Sequence, residues 1–268
     1  MTTPAYVHGY SARESERLAD QARTLTDLLH HDTHYPAGSQ ILEAGCGIGA
    51  QTIILAQNSP GAAITAIDIS QDSLRQAEER VRAAGFPNVT FRQADIFNLP
   101  FGPASFDHIF LCFVLEHLAD PSATLACLRP LLKEGGTLTV IEGDHGSTFF
   151  HPENPDARRA IDCLVELQKR GGGNALIGRQ LYPLVAAAGY HDVSVSPRMV
   201  YVDSSRPHLV EGFTKLTFTA MVKGVEDEVL RQGLMSRDAW ERGIAALYRA
   251  AEEDGVFCYT FFKAVARK

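Results

Sequence analysis

The chain has 268 residues, 45% of them apolar and 21% charged, with 22 glycines and 13 prolines. That composition excludes a disordered, collagen-like or disulfide-stapled chain, and the length suffices to bury a core. With 25 Lys and Arg against 32 Asp and Glu the formal net charge is −7, and no basic run interrupts it, so neither nucleic acid nor an anionic lipid surface is an expected partner.

Residues 1–35 read as a polar helical arm, with Leu18, Ala22, Leu25 and Leu28 recurring at helical spacing. From Gln40 the texture changes, and five strands are expected between residues 40 and 143: QILEAG, AAITAID, NVTFRQAD, FDHIFLCFVL and GTLTVIEG. Helices separate them, one over 72–84 and one over 122–132, the latter with Asp120 as N-cap and Pro121 in its first position. Gly85 and Gly135–Gly136 read as stops. This alternation predicts right-handed βαβ units and an α/β, mostly parallel sheet covered on both faces. After Ser147 a loop at 151–155, a helix over 156–169 and a break at 171–173 are expected. A helix over 179–188, a strand within 191–202, a helical stretch over 205–254 and an aromatic-rich strand over 256–266 follow. The expected organisation is an arm or lid at 1–35 and a core at 36–204 holding a helical insertion at 146–175. A lid or substrate segment at 205–254 and a final core strand at 255–268 complete it.

The five cysteines are odd in number and form no C-x-x-C pair, which reads as reduced thiols in a cytoplasmic protein. The N-terminal stretch lacks the plan of a signal peptide, and the longest apolar run, 109–115, is too short to span a bilayer.

The chemistry concentrates at Leu42-Glu43-Ala44-Gly45-Cys46-Gly47-Ile48-Gly49-Ala50, which follows a strand and opens a helix. Backbone N–H groups can approach a ligand there, and Asp68 ends the second strand at the distance expected of a ribose-binding acid. Gly45, Gly47 and Ala50 also satisfy the dinucleotide fingerprint, so spacing alone leaves two ligands open. Glu43 decides between them on charge: a carboxylate facing the crevice would repel a diphosphate and suit a cationic ligand such as S-adenosylmethionine.

With these residues in place the segment LEAGCGIGAQT resembles motif I of class I S-adenosylmethionine-dependent methyltransferases. AIDIS, ADIFNLPF, FDHIFLCFVLEHL and LLKEGGTLTVIE follow in that family's order, most like its ubiquinone-biosynthesis-like domain. Glu134 stands where the family usually has proline, at a turn. The resemblance spans roughly residues 38–145 and implies a Rossmann-like seven-stranded sheet with the last strand antiparallel. It also implies that Gly45, Cys46, Gly47 and Gly49 line the methionine and ribose part of the donor, with Glu43 nearby. Asp68 would take the ribose hydroxyls, Ile69 would pack on adenine, Asp95 and Ile96 would meet its edge, and Cys112–Phe113 would approach the methionine end. Similar enzymes fold an N-terminal arm over the donor, which makes Tyr10 a candidate contact.

Glu142-Gly143-Asp144-His145-Gly146 follows strand five, where this fold faces the methyl acceptor. His145 is the candidate general base and Asp144 its neighbour. Glu116 and His117 read as structural. His30, Asp32 and His34 match no standard metal spacing, and no metal is expected. Tyr182, Tyr201, Phe213, Phe218 and Met221 are candidates for an apolar acceptor pocket. The expected activity is methyl transfer to an oxygen or nitrogen, a carboxylate included, of a small molecule or peptide. The rivals are a non-catalytic S-adenosylmethionine-binding regulator and an NAD(P)-dependent oxidoreductase.

Overall fold

A computed structural model describes residues 12–268, with the side chains of Arg17, Leu18 and everything from Asp20 onward. One seven-stranded sheet runs in the order β3-β2-β1-β4-β5-β7-β6. Strands β1 (Gln40–Ala44), β2 (Ala63–Asp68), β3 (Val89–Gln93), β4 (Phe106–Cys112) and β5 (Leu132–His151) are parallel. Strand β7 (Val256–Arg267) lies antiparallel between β5 and β6 (His191–Val202), which completes the Rossmann-like fold.

Side chains alternate across a strand, so neighbours serve opposite cores. Ile41, Phe110 and Ile141 face one side, packed with Leu25 and Leu29 of α1 (Ala12–His30), Leu55 of α2 (Ala50–Asn58) and Leu164 of α5 (Pro155–Arg170). Leu42, Ile109 and Leu111 face the other, against Leu125 and Leu128 of α4 (Pro121–Leu128) and Leu181 and Val185 of α6 (Leu181–Ala187). Helix starts follow the sequence signals. Ser70 caps α3 (Gln71–Ala83) by accepting the Ser73 N–H at 3.2 Å, and Asp120 caps α4 by accepting the Ala123 N–H at 2.8 Å. No described helix is long and apolar enough to cross a membrane.

Two expectations need correction. Strand β5 does not end near Gly143; it continues to His151 because residues 149–151 pair with 256–258 of β7. The segment 146–175 is therefore strand first and helix only from Pro155. Gly135, at φ +74°, bends the start of β5 instead of ending a helix, since α4 has already stopped at Leu128. The stretch 205–254 is helical as expected. It includes ten residues of π-helix, Val210–Thr219, which is wider than an α-helix, and the helix Arg237–Arg249.

The end of α1 is fastened by polar contacts. Buried Lys263 of β7 donates to Asp32 and to Thr33 Oγ1, both at 2.6 Å, and Arg198 of β6 also pairs with Asp32. Buried His30 bonds Gln51 Oε1 through Nε2 at 2.8 Å. Asp32 and His30 are thus engaged in packing, and no cluster of three metal-type side chains occurs among the described residues. Burial, helped by the Lys263 charge, lowers the His30 pKa to about 4. The unfolded chain therefore binds more protons between about pH 6.5 and 4, and stability falls as pH drops through that window, by about 3 kcal/mol at most. Urea unfolding at a series of pH values is expected to show this slope, and His30→Phe is expected to flatten it. An unchanged slope in the variant would assign the acid sensitivity elsewhere.

Candidate active site

Strand order reverses at β1, whose neighbours are β2 on one side and β4 on the other. In open α/β sheets the crevice beyond the carboxyl ends of the strands at such a point takes the ligand. A cavity of about 810 Å³ opens there, walled by the ends of β1, β2 and β4, by Arg17, Leu18 and Gln21 of α1, by the π-helix, and by Tyr259 and Phe261 of β7.

The glycine loop folds back on its own strand layer. Gly45 and Cys46 donate their N–H groups to the Ile67 carbonyl at 2.8 and 2.9 Å, and Gly49 donates to the Cys46 carbonyl at 2.9 Å. Gly47 donates to Asp68 Oδ2 at 2.8 Å. These amides are consumed inside the protein. Gly45 and Gly47 line the cavity at positive φ, and a Cβ on Gly47 would meet nothing within 4 Å. Gly49 does not line it: a Cβ there would come within 2.9 Å of the Ala77 Cβ, so this glycine exists to let α2 and α3 approach.

Glu43 is displaced from its expected role. It is 2% exposed and absent from the cavity wall, and its carboxyl lies against the Thr52 side chain of α2. Burial lifts its pKa to about 7. A carboxyl in that state does not guard the crevice. The acid that does reach the cavity is Asp68, with Oδ1 accepting the Ser70 N–H at 2.9 Å and Oδ2 the Gly47 N–H. Burial raises its pKa while those amides pull it down.

Ile69, Asp95 and Ile96 continue the wall, as do Cys46, Cys112 and Phe113. Asp95 is also a turn residue, its Oδ1 accepting the Phe97 N–H at 2.9 Å. Phe113 sits at φ +58°, a conformation costly to a bulky side chain and concentrated at functional sites. Behind it, fully buried Glu142 holds the β4 exit by accepting the Val114 and Leu115 N–H groups at 3.0 and 2.7 Å on one oxygen. Tyr10 lies outside the described residues.

The far end is built by a bulge. Asp144 pairs with Thr260 and Phe149 with Cys258, so residues 145–148 oppose Tyr259 alone. Such bulges re-aim side chains next to sites. The local sequence satisfies the displaced backbone: Ser147 Oγ donates to the Asp144 carbonyl at 2.7 Å and accepts the Thr260 N–H at 2.9 Å, and Thr148 Oγ1 donates to the His145 carbonyl at 2.8 Å. His145 is thereby turned into the cavity wall, with Nδ1 2.7 Å from the Tyr259 hydroxyl. Burial lowers its pKa; Glu116 and Asp144 oppose the shift, and Arg17 and His117 add to it.

Asp144 is not the partner of His145. Its carboxylate takes the Arg179 guanidinium at 2.7 and 2.8 Å, and it does not line the cavity. Phe213, Phe218 and Met221 form the apolar wall, whereas Tyr182 and Tyr201 are exposed and stand apart. Glu116 and His117 both line the cavity, and Gln168 of α5 holds the Glu116 carboxylate at 2.9 Å.

A family model described as "Methyltransferase domain" matches residues 36–189. The chain belongs to the methyltransferase domain family. An uncharacterised methyltransferase of Schizosaccharomyces pombe is 29% identical over 219 residues, 76% of this chain and 77% of that protein. A ubiquinone biosynthesis O-methyltransferase of Paracidovorax citrulli is 34% identical over 129 residues, 48% of this chain and 49% of that one. Among solved structures, phosphoethanolamine N-methyltransferase 2 of Haemonchus contortus, in complex with phosphomonomethylethanolamine and S-adenosylhomocysteine, aligns with a TM-score of 0.56 at 18% identity, covering 93% of this chain and 52% of that one. The chain spans between 35% and 59% of the length of four other curated relatives it matches. The methyltransferase match includes the glycine loop, Asp68, Asp95 and His145, and stops before Phe213, Phe218, Tyr259 and Phe261.

The polar wall residues that sequence reasoning missed include Arg17 and Gln21 on α1, Gln51 on α2, Ser73 and Gln76 on α3, Thr217 on the π-helix and Tyr259 on β7. Only Tyr259 carried a usable signal, an aromatic flanked by strand residues opposite a Gly-rich segment.

Proposed function

We propose that this chain is a methyltransferase that transfers the methyl group of S-adenosylmethionine to an oxygen or nitrogen, a carboxylate included, of a small molecule or peptide. When bound, S-adenosylmethionine supplies a methyl group activated on a positively charged sulfur. The family match supports the donor, and so does the chemistry of the crevice. The glycine loop commits the N–H groups of Gly45, Cys46, Gly47 and Gly49 to acceptors within the protein, Gly47 to Asp68. The described wall carries Asp68, Asp95, Glu116 and Asp120 against one guanidinium, Arg17. That balance suits a cationic nucleoside without phosphates and disfavours NAD(P). The acidic wall is the observation that carries the reading.

Asp68 would hold the ribose hydroxyls, Ile69, Ile96 and Phe97 the adenine, and the backbone from Gly45 to Gly47 and at Cys112–Phe113 the amino-acid end. His145 and the aromatic wall of the π-helix and β7 would meet the acceptor. Alignment of acceptor and methyl in a dry cavity supplies most of the acceleration in such a displacement.

Thermal unfolding with each ligand tests the donor. At one hundred times its Kd, S-adenosylhomocysteine is expected to stabilise the fold by roughly 2.7 kcal/mol, or about 5–10 °C in Tm, and NAD to give no shift. Stabilisation by NAD alone overturns the reading. Incubation with methyl-labelled S-adenosylmethionine and a metabolite extract then identifies the product by mass spectrometry; donor binding with no labelled product would favour a non-catalytic regulator.

A further inference from the structure

The pair His145–Tyr259 fixes where a proton sits. Tyr259 is buried, its ring packed against Phe213, Phe218 and Phe261, and its hydroxyl lies so close over Gly143 that a Cβ there would come within 2.3 Å of it. Among the described residues the hydroxyl faces the backbone N–H of Asp144, which can only donate to it, and His145 Nδ1, which alone can accept its hydrogen. A phenol in a dry site must donate its hydrogen to something. If Nδ1 carried the imidazole proton, the ring would donate to the Tyr259 oxygen and the phenolic hydrogen would face no acceptor. Tyr259 O–H therefore donates to Nδ1. Burial keeps the ring neutral, and a neutral imidazole that accepts at Nδ1 bears its hydrogen on Nε2. Nε2 is buried with no partner among the described residues, in a residue that lines the cavity.

We infer that His145 offers the acceptor substrate a hydrogen-bond donor, not a base, and that this substrate is an apolar small molecule carrying an anionic oxygen, a carboxylate or an ionised enol or phenol, that seats on Nε2–H. The inference rests on the methyl-transfer reading for the identity of the cavity's occupants; the position of the proton stands without it. Phe213, Phe218, Phe261 and Met221 provide the wall for the apolar body. An acceptor that enters as an anion gives up no proton, so the site needs no base. Tyr259 is the positioning residue, since it sets which ring nitrogen faces the substrate.

The test uses the full chain, labelled with ¹⁵N-histidine and saturated with S-adenosylhomocysteine. Saturation itself checks the donor reading: failure to bind refutes that reading and leaves the tautomer measurement standing. Two-bond ¹H–¹⁵N correlation is expected to show His145 protonated at Nε2 and bare at Nδ1. Titration with 2-naphthoate should move the Nε2–H signal and give a Kd at least tenfold below that of 2-naphthylmethylammonium. His145→Phe should abolish the preference for the acid. Tyr259→Phe should weaken naphthoate about tenfold while S-adenosylhomocysteine binds as before. A spectrum with the proton on Nδ1, or equal affinity or no binding for both naphthalenes, overturns the proposal.

Discussion

Asp68→Ala is expected to weaken S-adenosylhomocysteine binding by about 100-fold or more, close to 3 kcal/mol, as read by calorimetric titration. Each hydrogen bond between a carboxylate and a ligand hydroxyl is worth about 1.5–3 kcal/mol, and Asp68 can make two. The substitution also frees the Gly47 and Ser70 amides, so some of the loss could reflect a looser loop. A donor analogue without ribose hydroxyls separates the effects. If Asp68 grips those hydroxyls, wild type and variant bind that analogue within about threefold of each other, because the cycle isolates the lost contact. Equal weakening for both ligands would show that Asp68 acts only on the loop. Asp68→Asn, which keeps the shape and loses the charge, should fall between.

Gly45→Ala is expected to destabilise the fold by about 2–5 kcal/mol and to impair donor binding. Gly45 sits at φ +83°, where a side chain costs roughly 1–2 kcal/mol, and the new Cβ would come within 2.7 Å of the Val114 Cγ2. Overpacking of that kind costs about 1–3 kcal/mol more. Urea unfolding of the double variant Gly45→Ala/Val114→Ala separates the two causes: relief of the clash should restore part of the loss and leave the backbone cost. Gly47→Ala, with open space at its Cβ, should pay only for its backbone, φ +52°. A loss at Gly47→Ala equal to that at Gly45→Ala would contradict the steric account.

The alternation of strands and helices between residues 40 and 143 was legible because parallel strands covered on both faces are short apolar runs, and the cap at Asp120 is local chemistry. The strand-end side of the cavity wall was legible for the same reason, since Gly45, Gly47, Asp68 and Asp95 lie near strand ends. Glu43 misled because a strand covered on both faces buries a side chain whichever way it points; Glu43 shares the parity of Ile41, which is in the core. The fingerprint counts glycines and says nothing of where their amides turn. Asp144 misled because its ion-pair partner, Arg179, is 35 residues away in sequence. Gly143 and Gly146 read as a strand end, yet both are places of close approach: a Cβ would strike the Tyr259 hydroxyl at one and the Arg179 guanidinium, at 2.5 Å, at the other. Pairing at long range, which no local pattern encodes, is what extends β5 beyond them.

The bulge has an arithmetical consequence. Four residues stand against one, a surplus of three, and an odd surplus inverts the in–out parity of everything downstream. On β5 the odd-numbered Ile141 and the even-numbered Phe150 belong to the same core, while Phe149 is exposed; on β7, which has no surplus, Phe257, Tyr259 and Phe261 keep one parity throughout. Deleting a single residue from 145–148 would throw Phe150 to the outside and Phe149 inward, so this stretch tolerates changes of letter far better than changes of length.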